Sequence, residues 1–69
     1  VLRTCRRRLA ERAGVPPYVV FHDATLIDMA QRRPMTLAAM LEVSGVGEAK
    51  LEKYGGDFLD VILNAEYQT

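Results

Sequence analysis

Apolar residues recur at helical spacing in the first part of the chain. Leu2, Cys5, Leu9 and Ala13 are separated by three or four residues, which places them on one side of an α-helix. Gly14 follows, at a position where a left-handed residue commonly ends a helix. The pattern predicts a first helix from residue 2 to about Ala13.

The next segment, residues 15–21 (VPPYVVF), interrupts this pattern with two prolines. A proline lacks a backbone N–H and biases the residue before it toward extended conformations. We therefore expect a stiff, non-helical connector. Tyr18 directly follows both prolines, and we expect its side chain to stand out into solvent.

Three more helices are predicted up to residue 54. Asp23 is expected to cap the second helix, which Pro34 ends near Arg32 or Arg33. Thr36 is expected to cap a short third helix. A tight turn at residues 44–47 (SGVG) leads into the fourth, with Leu51 and Tyr54 facing inward.

A fifth helix is predicted at the end of the chain, after a break at Gly55 and Gly56. Its apolar positions follow the clearest amphipathic spacing in the sequence: Phe58, Val61, Ile62 and Ala65. The prediction is an all-α fold, a compact bundle of about five short helices without a strand.

Composition excludes several classes of protein. A chain of 69 residues forms one small domain at most. One cysteine, Cys5, and one histidine, His22, cannot provide a disulfide or a four-ligand zinc site, and no apolar stretch approaches the roughly 18 to 20 residues of a membrane span. We expect a soluble protein with no cofactor and no membrane contact.

Catalysis is not expected either. A nucleophile needs a base and a group that orients the base. Cys5 lies in the apolar stripe of the first helix and His22 at the start of the second, so we interpret them as a core residue and a helix-start residue.

The net charge of zero conceals two charged halves. Up to Arg33, seven arginines stand against three carboxylates, which gives +4. From Pro34 onward, two lysines stand against six carboxylates, which gives −4. In the first helix, Arg3, Arg6 and Arg7 fall in one sector beside the apolar stripe, either as a solvated helix face or as a surface that holds phosphates.

Tyr18 permits two interpretations. An aromatic ring on a rigid segment beside basic residues is a stacking platform for unpaired bases. Alternatively, the ring packs on the core and only its hydroxyl meets water.

Residues 45–47 (GVG) lack the strand and the lysine of nucleotide-binding glycine loops. A hairpin of this type between two helices directs backbone N–H groups toward a position where a DNA phosphate can bind. Lys50 and Lys53 would add positive charge, whereas Glu48 and Glu52 oppose it. We favour a plain helix–helix turn over a phosphate site.

Two motifs, VPPYVVFHDATL at residues 15–26 and LEVSGVGEAKLEKYG at residues 41–55, resemble an HRDC domain. The resemblance is to the copy at the C-terminus of bacterial RecQ DNA helicases, and it covers almost the whole chain. It implies that residues 1–69 are a single HRDC domain cut from a longer helicase chain, with a SAM-like bundle of about five helices. HRDC domains also occur in ribonuclease D and in other helicases, but the complete first motif favours RecQ.

The resemblance further implies an accessory, non-catalytic module, because ATP hydrolysis in such helicases belongs to RecA-like lobes absent from this sequence. Tyr18 matches the aromatic residue associated with contact to single-stranded DNA. Together with basic residues chosen by charge and position, the candidate DNA-binding set is Tyr18, Arg3, Arg6, Arg7, Lys50 and Lys53.

The expected partner is single-stranded or branched DNA, bound weakly by a monomer in the bacterial cytoplasm, at the nucleoid. The alternative is a protein-interaction module that docks on the helicase core or on a partner protein. Its contact surface would be the proline segment or the acidic second half.

Overall fold

The structure, a computed structural model, describes the backbone of residues 1–67 and the side chains of residues 1–64. Within that range every regular element is helical, as the sequence predicts. The elements are α1 (Leu2–Ala13), α2 (Pro17–Val20), α3 (Asp23–Arg32), α4 (Leu37–Met40), α5 (Glu48–Lys50), a π-helical turn (Leu51–Gly55) and α6 (Gly56–Tyr67). The five predicted helices are present, and α2 is an additional single turn.

The predicted limits of α1 are confirmed, and so is the inward position of Leu2, Cys5 and Leu9, but not that of Ala13. Gly14 ends the helix in the left-handed conformation, with φ of 71°. Ala10 is buried and Ala13 is exposed, contrary to the prediction that Ala13 faces the core. Because the chain turns at Gly14 and Val15 packs back against the core, the last turn of α1 ends at the surface.

The prolines do not prevent a helix at α2, and the prediction of a non-helical connector is wrong. Pro16 is extended at the N-cap, with ψ of 150°, and Pro17 is the first helical residue. A proline at that position has a suitable φ, and its missing N–H would have had no partner in the helix. The two prolines therefore start α2.

The predicted N-cap residue is wrong for α3 and correct for α4. His22, not Asp23, is the N-cap of α3, because the Asp23 carboxylate bonds to Arg6 instead of to the backbone of its own helix. Thr36 caps α4 as predicted, its Oγ1 accepting a hydrogen bond of 3.0 Å from the N–H of Ala39.

Gly55 and Gly56 do not interrupt the helix, contrary to the prediction. Gly56 is helical, with φ of −62° and ψ of −42°, and α6 continues from the π-helical turn. Gly55 is buried, and a Cβ atom there would lie 2.7 Å from Leu51 Cδ1 and 3.6 Å from Leu37 Cδ2. This glycine therefore permits close packing between α4 and the π-helical turn.

The core is built around two phenylalanines. The rings of Phe21 and Phe58 meet edge to face with centroids 5.1 Å apart, and Tyr54 adds a third ring 6.1 Å from Phe21. Leu51 and Tyr54 pack against the core as predicted, as do Phe58 and Ile62 of α6. The predicted core position Ala65 lies outside the described side chains. Because Phe21 directly follows α2, the core anchors the segment that carries Tyr18.

Asp28 joins α3 to the loop between α4 and α5. Its Oδ2 accepts hydrogen bonds from the N–H of Ser44 at 2.8 Å and from Arg32 Nε at 2.9 Å. The Ser44 N–H, followed by Arg32, lowers the pKa of the Asp28 carboxyl below its ordinary value of 3.8. The ionised carboxylate therefore stabilises the fold above that ordinary value, and this contribution is lost as the pH falls through the lowered pKa.

Replacing Asp28 with asparagine is expected to lower Tm by several degrees at about pH 7, and the difference should shrink as the pH falls below 3.8, the ordinary pKa of this carboxyl. Asparagine has the shape of the protonated acid, so the two proteins become alike once Asp28 is protonated. Thermal unfolding of both proteins across this pH range measures the difference. Asp60→Asn, at an exposed position of α6, is the control and should leave Tm unchanged. A Tm difference for Asp28→Asn that does not change with pH would contradict this account.

Candidate nucleic-acid interface

The single turn α2 presents Tyr18 to solvent. Its side chain is 59% exposed, which confirms that it stands out and excludes the alternative of a ring packed in the core. The ring stacks beside that of His22, with centroids 6.0 Å apart and planes inclined by 26°. The two rings form an aromatic pair at the surface, at the junction of α2 and α3.

Two cations hold the end of α2 in place. Lys50 Nζ donates a hydrogen bond of 2.6 Å to the carbonyl of Val19, and Arg6 Nη1 donates one of 3.0 Å to the carbonyl of Phe21. Lys50 Nζ also lies 5.8 Å from the centroid of the Phe21 ring. The last carbonyls of a helix have no partner within the helix, so these side chains satisfy them. Lys50 and Arg6 thereby fix the orientation of the segment that carries Tyr18.

Arg6 is directed inward. Its side chain is only 13% exposed, and Nη1 also forms an ion pair of 2.7 Å with Asp23 Oδ1. The hydrogen bond from Arg6 holds the pKa of the Asp23 carboxyl below its ordinary value. Because this guanidinium already has a carboxylate and a carbonyl as partners, its main role in the fold is to join α1 to the start of α3.

Arg3 and Arg7 remain exposed and line a shallow groove between α1 and α2. Thr4, Arg6 and Pro17 complete its lining, so the groove reaches the residue next to Tyr18. Arg7 Nε lies 3.9 Å from Glu11 Oε1, and both side chains are largely exposed. An exposed ion pair of this length contributes little, so Arg7 can exchange Glu11 for a phosphate at small cost.

The two lysines of the candidate set have different surroundings. Lys50 is half-buried and bound to α2, as described above. Lys53 is exposed on the π-helical turn and takes part in none of the hydrogen bonds, ion pairs or ring contacts found among the described residues. The structure therefore brings Arg3, Arg6, Arg7 and Lys50 into contact with α2 or its groove, and a contact between DNA and any of these residues stays a prediction.

Residues 45–47 form a packed turn. Val46 is buried, and Gly45 has a φ of 87° and lies against the side chain of Thr25. The N–H of Ser44 is already bound to Asp28. The helix that follows, α5, has only three residues before the π-helical turn. These observations favour the plain turn between helices.

The described residues contain no arrangement that suggests catalysis. Cys5 is buried in the core as predicted, and burial raises the pKa of its thiol, which opposes formation of the thiolate nucleophile. His22 is exposed and stacked on Tyr18. Among these residues there is no cluster of three or more histidine, cysteine or acidic side chains that could hold a metal ion, and no helix long and apolar enough to cross a membrane.

A family model for the HRDC domain matches residues 1–62. The chain belongs to the HRDC family. Its fold superimposes on the solved structure "D. radiodurans RecQ HRDC domain 3" with a TM-score of 0.89 and 45% sequence identity, over 93% of this chain and 84% of that one. The resemblance stated from the two motifs is thus confirmed, as is the SAM-like helical fold it implies.

Relatives of this HRDC domain are much longer proteins. It is 46% identical over 61 residues to the ATP-dependent DNA helicase RecQ of Haemophilus influenzae, covering 88% of this chain and 10% of the relative. It is 43% identical over 61 residues to the ATP-dependent DNA helicase UvrD2 of Mycobacterium tuberculosis, covering 88% of this chain and 9% of the relative. The HRDC domain thus spans about a tenth of the length of these helicases.

The contact between His22 and Tyr18 was not predicted from the sequence. His22 was interpreted only as a helix-start residue, whereas its ring stacks on that of Tyr18. The two are four residues apart, but α2 ends at Val20 and both Phe21 and His22 are extended, so they do not lie on one helix. No helical spacing in the sequence could therefore have predicted this contact.

Proposed function

We propose that this HRDC domain is a non-catalytic accessory domain of a RecQ-type DNA helicase, and that it binds single-stranded or partly unpaired DNA weakly. One observation carries the proposal: exposed Tyr18 directly follows Pro17, which lines a groove together with Arg3 and Arg7. Unpaired bases expose aromatic faces that stack on such a ring, and the adjacent phosphates require cations at short range.

Each residue of the candidate set has a part in this proposal. Tyr18 stacks on a base, while Arg3 and Arg7 contact the phosphates along the groove. Lys53 provides a further exposed cation on the π-helical turn. Arg6 and Lys50 act mainly by fixing α2, so they are positioning residues for Tyr18.

The charge distribution supports weak, salt-sensitive binding. The groove belongs to the half of the sequence with a charge of +4, and the other half carries −4. Phosphates are therefore attracted to one group of helices and repelled by the other. With only a few cations at the surface, few counterions are released on binding.

The proposal also concerns the longer protein to which the domain would belong. Its RecQ relatives are helicases in which this domain accounts for a tenth of the length, so ATP hydrolysis would be performed elsewhere in the parent chain. The domain would direct such a helicase to DNA structures with unpaired strands. The location would be the bacterial cytoplasm, in association with the nucleoid.

Arg7→Gln is expected to weaken binding of a fluorescent oligo-dT several-fold at about 50 mM salt. It should also reduce the slope of log K against log salt by about 0.7, the value for one phosphate contact to a single strand. Arg7 is chosen because it lines the groove and has only a long ion pair. Fluorescence anisotropy at several salt concentrations gives both quantities.

Arg12→Gln is the matched control, because Arg12 is another exposed arginine of α1 outside the groove lining. It is expected to change neither the affinity nor the slope. Equal effects of the two variants would show attraction by net charge alone and would contradict the proposed groove. Binding that does not respond to salt would contradict the phosphate contacts.

A further inference from the structure

An apolar strip lies around α4, in the part of the sequence that carries the charge of −4. Leu37 and Leu41 are 47% and 39% exposed, and the N–H of Leu41 bonds to the carbonyl of Leu37, which places both side chains on one side of this turn. Leu37 also approaches Gly55, beside which the half-buried Leu51 packs. We call Leu37, Leu41, Leu51 and Gly55 the α4 strip.

The strip differs from scattered surface apolar residues. Single exposed leucines are normal on a soluble protein, whereas large contiguous apolar patches mark contact sites. Here one surface is shared by two separate elements, α4 and the π-helical turn, and the absence of a side chain at Gly55 lets their leucines approach each other.

Exposed carboxylates adjoin the α4 strip along the sequence. Glu42 directly follows Leu41, and Glu52 directly follows Leu51; both are exposed. Glu48, also exposed, precedes Glu52 by four residues on the same helical segment. Within the part of the chain that the structure describes, no cation lies within ion-pair distance of these three carboxylates. Their charges are therefore available to a partner.

The apolar strip and the neighbouring carboxylates together indicate which kind of partner fits this surface. The three carboxylates outnumber Lys53, the exposed cation of the same turn, so a nucleic acid or an anionic membrane surface would meet net negative charge here. A second copy of this chain would bring the same carboxylates against each other. A polypeptide that presents leucine-like side chains together with lysines or arginines matches both the apolar strip and its charged rim. We infer that the α4 strip is a docking site for a basic, apolar polypeptide segment, a role beyond the proposed DNA binding.

The inference can be tested with a synthetic amphipathic Leu/Lys peptide added to the 15N-labelled 69-residue chain. Amide shift changes are expected at residues 37–42 and 51–55, with affinity falling at least tenfold between about 50 mM and 500 mM salt. A Ser/Lys peptide of equal charge and a Leu/Glu peptide should both bind at least tenfold more weakly. Shifts centred on α2, or equal binding of the Leu/Lys and Ser/Lys peptides, would overturn the inference.

Variants distinguish binding at the α4 strip from nonspecific apolar binding. Leu37→Ser with Leu41→Ser should reduce peptide affinity at least tenfold, whereas Ile27→Ser, at a 56% exposed position of α3, should leave it unchanged. Should the double serine variant fail to fold, Glu42→Gln with Glu52→Gln tests the charged rim, and a loss of affinity below threefold would overturn the inference. Concentration-dependent shifts at the strip without peptide would also overturn it, in favour of self-association.

Discussion

Tyr18→Ala is expected to weaken the binding of a single-stranded oligonucleotide about 5- to 150-fold, the range that corresponds to 1–3 kcal/mol for one base stacked on an aromatic ring. The ring is well exposed and belongs to a short helix anchored by Phe21, so its loss removes the platform without opening the core. The effect should appear in the affinity but not in the salt slope, because the ring carries no charge. Fluorescence anisotropy at two salt concentrations measures both.

Two variants on the same turn serve as controls. Tyr18→Phe keeps the ring and should bind within about twofold of the original protein. Val19→Ala alters the neighbouring exposed side chain and should have no effect on affinity. If Tyr18→Ala bound as well as these two, base stacking at α2 would be refuted while a purely electrostatic contact with the arginine groove would remain.

Gly45→Ala is expected to lower the free energy of unfolding by about 2 to 5 kcal/mol, combining the left-handed backbone with overpacking. Gly45 has a φ of 87°, and a Cβ atom there would overlap Thr25 Oγ1. A domain of 69 residues has a total stability of only about 3 to 10 kcal/mol, so the variant should lose a substantial part of it. Urea denaturation followed by circular dichroism measures the loss.

The neighbouring glycine provides the matched control. Gly47 has a φ of −91°, and a Cβ atom there would meet nothing within 4 Å, so Gly47→Ala should change stability by less than about 1 kcal/mol. Adding Thr25→Ala to Gly45→Ala should recover the part of the loss that comes from the overlap. Equal effects of the two glycine variants would refute the special role of Gly45.

The helical class of this protein was predictable because its determinants are local. The spacing of Leu2, Cys5 and Leu9, the cap at Thr36 and the stop at Pro34 each act over a few residues, and each prediction was confirmed. The exposure of Tyr18 was expected from its place directly after two prolines, and the structure decided between this and a ring packed on the core. The two long motifs were sufficient for the family.

The errors occur where a residue has two possible local roles. Proline is unfavourable within a helix and favourable at its start, so α2 depended on where the first turn began. Glycine can break a helix or allow a close contact inside one, and the choice at Gly55 depends on Leu37 and Leu51. Asp23 could have capped α3, but Arg6, which is distant in sequence, competes for its carboxylate.

The sequence by itself determined five of the helices, the family and the separation of charge into two halves. Only the tertiary structure decided which arginines of α1 face the groove and which one is directed inward, that Lys50 holds α2, and that apolar residues of α4 and the π-helical turn meet beside unpaired carboxylates. Periodicity places a side chain on a face of its own helix. Its partners depend on how distant helices pack together, and no local pattern contains that information.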